Sequence, residues 1–175
     1  YYSDVGLSMK FTGLNLTNGT TVTGMDGDAS FVMSKTVSNS TMDITGTVLT
    51  RSQTINGAVR RTSLKNYSQH YVVTSSIATA TVSAEVHTTN TKLGATGGSY
   101  TLTTTTPLVW NTSTNAIQSG VVEAVGANGT KVRATFGQFT TCTAADCIYI
   151  ETDSTGAGYA QPGELKARSD FQALY

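Results

Sequence analysis

The chain has 175 residues, of which 13% are charged, and its 11 basic residues balance its 11 acidic residues. Because no basic patch or stripe stands out from this balance, the composition excludes a typical nucleic-acid-binding surface. No stretch approaches the 18 consecutive apolar residues of a transmembrane helix, so we expect no membrane-spanning segment.

Threonine makes up about a fifth of the chain and culminates in the run Tyr100-Thr-Leu-Thr-Thr-Thr-Thr-Pro107. Its β-branched side chain fits the surface of a strand better than that of a helix. In the readable strands threonine falls mainly on the polar side of the alternation, as at Thr79 and Thr81, where other proteins place charged residues. The composition therefore predicts an all-β fold whose outer surface is neutral and rich in hydroxyl groups.

The first third of the chain predicts two hairpins. Strands over residues 9–16 and 20–23 flank Asn18-Gly19, and residues 49–64 fold back at Asn56-Gly57. Asn-Gly supplies the positive φ angles of the type I′ turn, which is the tightest hairpin connection. Between the two hairpins, further strands are predicted over residues 30–37 and 42–49.

One acidic motif, Met25-Asp-Gly-Asp-Ala29, interrupts these strands. Aspartate next to glycine is common in turns, and we interpret the motif as a turn. Its two carboxylates, Asp26 and Asp28, are also candidate calcium ligands, because calcium binds sets of oxygen donors in loops of secreted β proteins. The turn is the favoured interpretation, and no cofactor is expected.

The strand predicted over residues 77–88 shows the clearest alternation in the chain. Its apolar positions are Ala78, Ala80, Val82, Ala84 and Val86, and its polar positions are Thr79, Thr81, Ser83, Glu85 and His87. Because successive side chains of a strand point to opposite faces, the apolar set must lie on one face. These side chains are small, so another layer of the protein is expected to approach closely.

The second half of the chain continues the same pattern. Strands are predicted over residues 71–75, 99–105 and 147–152, and a hairpin over 121–136 turns at Asn128-Gly129. In the tail, residues 163–175, apolar side chains alternate with polar ones, which favours a strand over a helix. The sum is one β domain over residues 1–175, an antiparallel sandwich or barrel-like fold of roughly ten to twelve short strands with little or no helix.

The two cysteines, Cys142 and Cys147, lie close together in the sequence. Four intervening residues suit a structural disulfide across a hairpin or tight loop, although a pair of reduced thiols remains the alternative. A disulfide would place the protein in an oxidising compartment, so we expect an extracellular or cell-surface location, the periplasm included. The chain begins at Tyr1 without a methionine, which either a removed leader or excision from a longer chain would explain.

The sequence contains no recognisable catalytic motif. Gly-x-Ser-x-Gly, the P-loop, the dinucleotide fingerprint and His-Glu-x-x-His are all absent. His70 and His87 are isolated from any nucleophile in the sequence, and Trp110 is interpreted as a core or rim anchor rather than a sugar platform. We therefore expect no catalytic residues and a non-enzymatic protein.

Low charge, abundant hydroxyls, few prolines and a local cysteine pair resemble bacterial cell-surface and fimbrial subunits in general style. This resemblance implies a structural, self-assembling subunit of a fibre or surface layer, joined through strand edges that lack charged residues. Tyr1, Tyr2 and Tyr175 are candidate interface residues at the chain ends. The alternatives are a carrier of a small molecule or glycan, with Ala78, Ala80 and Ala84 leaving space inside, and a hydrolase with a site on loops that include Asp26, Asp28, His70 and His87.

Overall fold

The computed structural model describes residues 4–55, 57–91, 93–114, 116–137, 139, 147–160 and 162–167. Within these ranges the chain forms a single sheet of ten antiparallel strands, whose order in the sheet is their order in the chain. The strands are β1 (Val5–Asn18), β2 (Thr21–Lys35), β3 (Asn39–Ile55), β4 (Ala58–Thr74), β5 (Ile77–Asn90), β6 (Gly94–Asn111), β7 (Ala116–Val125), β8 (Lys131–Phe136), β9 (Cys147–Asp153) and β10 (Glu164–Ala167). A 3₁₀ turn at Ala127–Gly129 joins β7 to β8.

The structure confirms the all-β prediction, the antiparallel pairing and the number of strands. The described sheet is open, since β1 and β10 lie at opposite ends of the strand order. The strands β1 to β6 are 14–18 residues long and therefore longer than expected. Residues 20–23 and 30–37, for example, belong mostly to the single strand β2 and not to two separate strands.

A line of β-bulges crosses the sheet and explains how such long strands are accommodated. The register shifts fall between Phe11 and Leu14 (β1–β2), Gly27 and Ser30 (β2–β3), Lys65 and Ser68 (β4–β5), and Ala80 and Ser83 (β5–β6). A bulge bends its strand and increases the local twist. These bulges lie near the middle of neighbouring strands between β1 and β6 and therefore form one line across that part of the sheet.

The acidic motif lies in the middle of β2, so its interpretation as a turn is wrong. Asp26 Oδ1 accepts a hydrogen bond from the backbone N–H of Gly13 at 2.6 Å, at the bulge in β1. The carboxylate of Asp28 accepts the backbone N–H groups of Thr47 at 3.0 Å and Val48 at 3.2 Å, at the bulge in β3. The two carboxylates therefore hold the irregular backbone of the strands on either side of β2.

Replacing Asp28 with asparagine is expected to reduce the amount of stability that the protein loses at low pH. The Thr47 hydroxyl, followed by the N–H groups of Thr47 and Val48, lowers the pKa of Asp28 below its usual 3.8. A carboxylate with a lowered folded-state pKa stabilises the fold above its unfolded pKa, and this contribution is lost as the pH falls through the folded value. Urea denaturation at pH 7 and at pH 3 should therefore show a smaller difference for Asp28→Asn than for the unmodified protein. The exposed Asp4 supplies the control as Asp4→Asn, and an unchanged pH dependence in Asp28→Asn would contradict the prediction.

The core lies on one face of the sheet, which we call the inner face. Its buried cluster consists of Ala29, Tyr67, Ala84 and Val86, with Phe11, Phe31, Ile44, Leu49, Leu64 and Leu102 packed against it. The ring of Tyr67 on β4 fills the space above Gly46 on β3, where even a Cβ atom would collide with it. The Tyr67 hydroxyl continues across the sheet and donates a hydrogen bond of 2.5 Å to the carbonyl oxygen of Asp28 on β2. One aromatic side chain thus ties three strands together beside the line of bulges.

The alternation predicted for β5 is confirmed. Ala78, Ala80, Ala84 and Val86 are at most 5% exposed and lie on the inner face, whereas Ser83 and Glu85 are exposed on the other. The close approach of another layer to these small side chains stays a prediction, because the described strands form a single sheet. Tyr71 and Trp110, on the strands that flank β5, meet edge to face at a centroid distance of 6.1 Å, so Trp110 is an anchor within the sheet.

Candidate interaction surface

β1 is an edge strand of the described sheet. On one side β1 pairs with β2 along its whole length. Among the described residues no strand lies on its other side. Backbone N–H and C=O groups along such an edge form a template for pairing with another strand.

The apolar side chains of β1 form a row on the inner face, which we call the β1 row. Its members are Val5, Leu7, Met9, Phe11, Leu14 and Leu16. The row changes from odd to even positions because the bulge between Phe11 and Leu14 adds one residue to β1. Phe11 lies opposite Gly27, and Leu14 lies opposite Met25. Because Met25 and Gly27 are two positions apart on β2, they share a face, and so do Phe11 and Leu14.

Most of the β1 row is uncovered. Val5 is 56% exposed, Leu7 54%, Leu14 42% and Leu16 64%, whereas Met9 and Phe11 are partly buried. On β2, Met33 lies directly opposite Val5 and is 51% exposed, which extends the row sideways. Contiguous exposed apolar surface is unusual on a folded protein, so the β1 row is a candidate interaction surface.

β1 has few of the features with which natural sheets protect an edge. Its 14 residues contain no proline and one charged side chain, Lys10, which lies on the face opposite the β1 row. Short edge strands, charged side chains, prolines and β-bulges are the usual protection against edge-to-edge pairing, and of these β1 has Lys10 and its one bulge. The edge of β1 is therefore long, almost neutral and apolar on one face.

The interface residues predicted at the chain ends, Tyr1, Tyr2 and Tyr175, lie outside the described residues, and their role stays a prediction. Cys142 also lies outside them, so the disulfide with Cys147 is likewise untested. Cys147 itself begins β9 and is 3% exposed. Within the described residues the candidate interaction surface is the first strand.

The two calcium candidates, Asp26 and Asp28, direct carboxylate oxygens at donors of the protein. Besides its two backbone donors, Asp28 accepts a hydrogen bond of 2.5 Å from the hydroxyl of Thr47. Within the described ranges there is no group of three or more histidine, cysteine, aspartate or glutamate residues placed to hold a metal. In this structure the carboxylates of Asp26 and Asp28 accept hydrogen bonds from the backbone of neighbouring strands.

The two histidines lie on different strands and have different polar neighbours. His70 Nδ1 lies 2.6 Å from Asp43 Oδ1, and both side chains are nearly half exposed. His87 Nδ1 lies 2.8 Å from Ser99 Oγ on the adjacent strand β6. The pair of His87 and Ser99 lines an open groove of about 380 Å³ that also includes Lys65. Local sequence could not reveal this pair, because strand pairing alone brings the two residues together.

A second polar cluster that the sequence did not reveal joins β7, β8 and β9. Arg133 contacts Glu151 with Nε at 2.6 Å and Nη2 at 2.8 Å, and its guanidinium lies 4.2 Å from the ring centroid of Tyr159. The hydroxyl of Tyr159 donates a hydrogen bond to Glu123. Burial, together with this bond, raises the pKa of Tyr159 to about 12. Glu151 is only 5% exposed, so the cluster fastens the segment that follows β9 onto the sheet.

The loop after β9 is held in the same way by Asp153. Its carboxylate accepts the backbone N–H groups of Thr155 at 3.1 Å, Gly156 at 2.7 Å and Gly158 at 2.9 Å. These bonds lower the pKa of Asp153, although its burial opposes the shift. The acidic residues of this region thus have structural roles in the described part of the protein.

Comparison with known proteins adds no further assignment. No family model matches the chain, and no curated protein or solved structure matches it. Among the described residues no helix has the length and apolar character needed to cross a membrane. The uncovered edge of β1 is therefore the feature from which a function is best argued.

Proposed function

We propose that this protein is a non-enzymatic structural subunit, located outside the cell or on its surface, that associates through its strand edges. The observation that carries this proposal is the uncovered β1 row beside the open edge of β1. The low charge and hydroxyl-rich surface support the same view, because they leave few like charges to keep neighbouring copies apart.

The energetics of the edge are compatible with association. Complete burial of a valine or leucine side chain stabilises by about 1.5–3 kcal/mol, so covering the four half-exposed members of the β1 row contributes roughly 4 kcal/mol. Each new backbone hydrogen bond along the edge adds about 1 kcal/mol. Association itself costs about 4–15 kcal/mol, so the balance favours a reversible, concentration-dependent complex.

The native mass of the protein tests this proposal. Sedimentation velocity over a wide range of protein concentrations should show a rise in mass above that of the 18.3 kDa chain. Negative-stain electron microscopy of the concentrated sample should then show dimers or longer assemblies. A protein that remains monomeric at every concentration would contradict the structural, self-associating role.

A second candidate function is favoured by the groove that includes His87 and Ser99. Its volume of about 380 Å³ falls within the range of small-molecule sites, and Lys65 and Glu85 supply opposite charges at its rim. A carrier of a polar small molecule or glycan would use these groups as hydrogen-bond partners. Screening the protein against a glycan array, with the double variant His87→Ala/Ser99→Ala as the comparison, tests this role, and identical profiles would count against it.

A further inference from the structure

We infer that the edge of β1 pairs with the β1 edge of a second copy, antiparallel and about a two-fold axis that passes near the bulge at residues 12–13. The inference rests on the proposed function, because it names the partner that the edge takes. It turns a general tendency to associate into one specific contact between two identical surfaces, as two-fold symmetric dimers require.

The bulge determines the register in which the two halves of β1 are complementary to each other. Before the bulge the β1 row occupies odd positions, and after it the row occupies even positions. Antiparallel pairing about the bulge matches the first half of one strand with the second half of its copy. Leu7 and Met9 of one copy then lie beside Leu14 and Leu16 of the other, and both rows face the same side of the joined sheet.

The single charge of β1 agrees with this register. With the axis near the bulge, Lys10 of one copy lies opposite residues 13–15 of the other, and none of these residues is charged. In this register the two Lys10 side chains are not directly opposite each other, which is the arrangement in which like charges destabilise a strand pair. The charge of Lys10 is therefore compatible with pairing about the bulge.

The opposite end of the described sheet differs from this edge in charge. Two of the four described residues of β10 are charged and form the ion pair between Glu164 and Lys166 at 2.6 Å. In β1 one residue of 14 is charged. A second β1 edge is therefore the more apolar partner for the β1 row.

The size of the contact predicts its strength. At about 3.4 Å per residue and a sheet thickness of about 10 Å, two paired β1 edges cover roughly 900 Å² in total. This lies below the roughly 1,200 Å² at which stable interfaces begin. We therefore expect a reversible dimer rather than a permanent one.

A matched pair of variants separates the two edges of the sheet. Leu16→Glu places a charge in the β1 row, and Leu165→Glu places the same charge on β10, where Leu165 is 37% exposed. Sedimentation velocity should show a dissociation constant at least about tenfold higher for Leu16→Glu and an unchanged one for Leu165→Glu. The reverse result, or equal effects of the two variants, would overturn pairing through β1. Circular dichroism confirms that both variants retain the β fold before their masses are compared.

Photo-crosslinking tests the register without disturbing the row. With p-benzoylphenylalanine in place of Ser8, which is exposed on the outer face, a mixture of ¹⁵N-labelled and unlabelled protein identifies bonds between copies by mass spectrometry. We expect Ser8 of one copy to crosslink to residues 13–18 of the other. Crosslinks to β10 or to other strands would overturn the inference and leave the proposed function standing. A protein that is monomeric at every concentration would overturn both.

Discussion

Replacing Tyr67 with alanine is expected to lower the free energy of unfolding by about 3–5 kcal/mol, as for other aromatic side chains removed from a core. Tyr67 is 4% exposed, and its ring covers Gly46 while its hydroxyl reaches the backbone of Asp28. The variant therefore loses packing on β3 and a hydrogen bond to β2 at the same time. Urea denaturation, monitored by circular dichroism, measures the change.

Two further variants separate the contributions of Tyr67. Tyr67→Phe removes the hydroxyl alone and should cost about 1 kcal/mol. Gly46→Ala should be strongly destabilising in the unmodified protein, because the new Cβ atom would collide with the Tyr67 ring. In the Tyr67→Ala background the same change should be tolerated, since the ring is gone. If Gly46→Ala lowers the free energy of unfolding equally in both backgrounds, the Tyr67 ring is not the reason why this position requires glycine.

Replacing Arg133 with alanine is expected to lower the free energy of unfolding by about 3 kcal/mol, the lower end for a broken buried ion pair. Glu151 is 5% exposed and would lose both hydrogen bonds from the guanidinium. The estimate is at the lower end because the Arg133 side chain is itself 36% exposed and partly solvated. Thermal and urea denaturation at pH 7 measure the loss.

Matched controls identify the cause of that loss. Arg51→Ala removes an exposed arginine from β3 and should change stability by no more than about 0.5 kcal/mol. The double variant Arg133→Met/Glu151→Leu should recover most of the stability, because apolar residues of similar size can replace a buried pair. If the double variant is as unstable as Arg133→Ala, the ion pair is not the source of the effect.

Local periodicity predicted a large part of the fold. The alternation of β5 placed Ala78, Ala80, Ala84 and Val86 on the inner face, where the structure has them. Turn chemistry placed connections near Asn18-Gly19 and Asn128-Gly129, and positive φ angles occur at Gly19, Asn128 and Gly129. The type I′ turn predicted at Asn18-Gly19 is wrong, because Asn18 pairs with Thr21 as the last residue of β1 and only Gly19 has a positive φ. These features were accessible because side-chain alternation and turn preference depend on neighbours in the sequence.

The bulges were missed for a physical reason. A bulge shifts the alternation by one residue in the strand that carries it, as in β1 and β3, so the continuous strand is hard to recognise. The strand β2 has no extra residue of its own, and it was divided because Asp26-Gly27-Asp28 resembles a turn. The donors and acceptors that hold the bulges come from adjacent strands, as with Asp26 and Gly13, 13 residues apart, or Asp28 and Thr47, 19 residues apart. Such pairs are visible only when the register between strands is known.

The candidate surface was likewise only partly predictable. Neutral strand edges followed from the scarcity of charge, and they led to the expectation of edge-to-edge association. The tyrosines named for the interface lie outside the described residues, whereas the uncovered leucines of β1 were not singled out. Their alternation is broken at the bulge, so the β1 row is recognisable only after Phe11 and Leu14 are known to share a face.

The sequence by itself determined the β class and the neutral, hydroxyl-rich character of the surface, because threonine content, alternation and turn residues act locally. The tertiary structure alone decided which short segments join into long, bulged strands, that Tyr67 covers Gly46, and that no described strand lies beside the outer edge of β1. These features depend on which strands lie side by side and in which register. The burial of each side chain depends on that arrangement, which leaves most of the β1 row exposed.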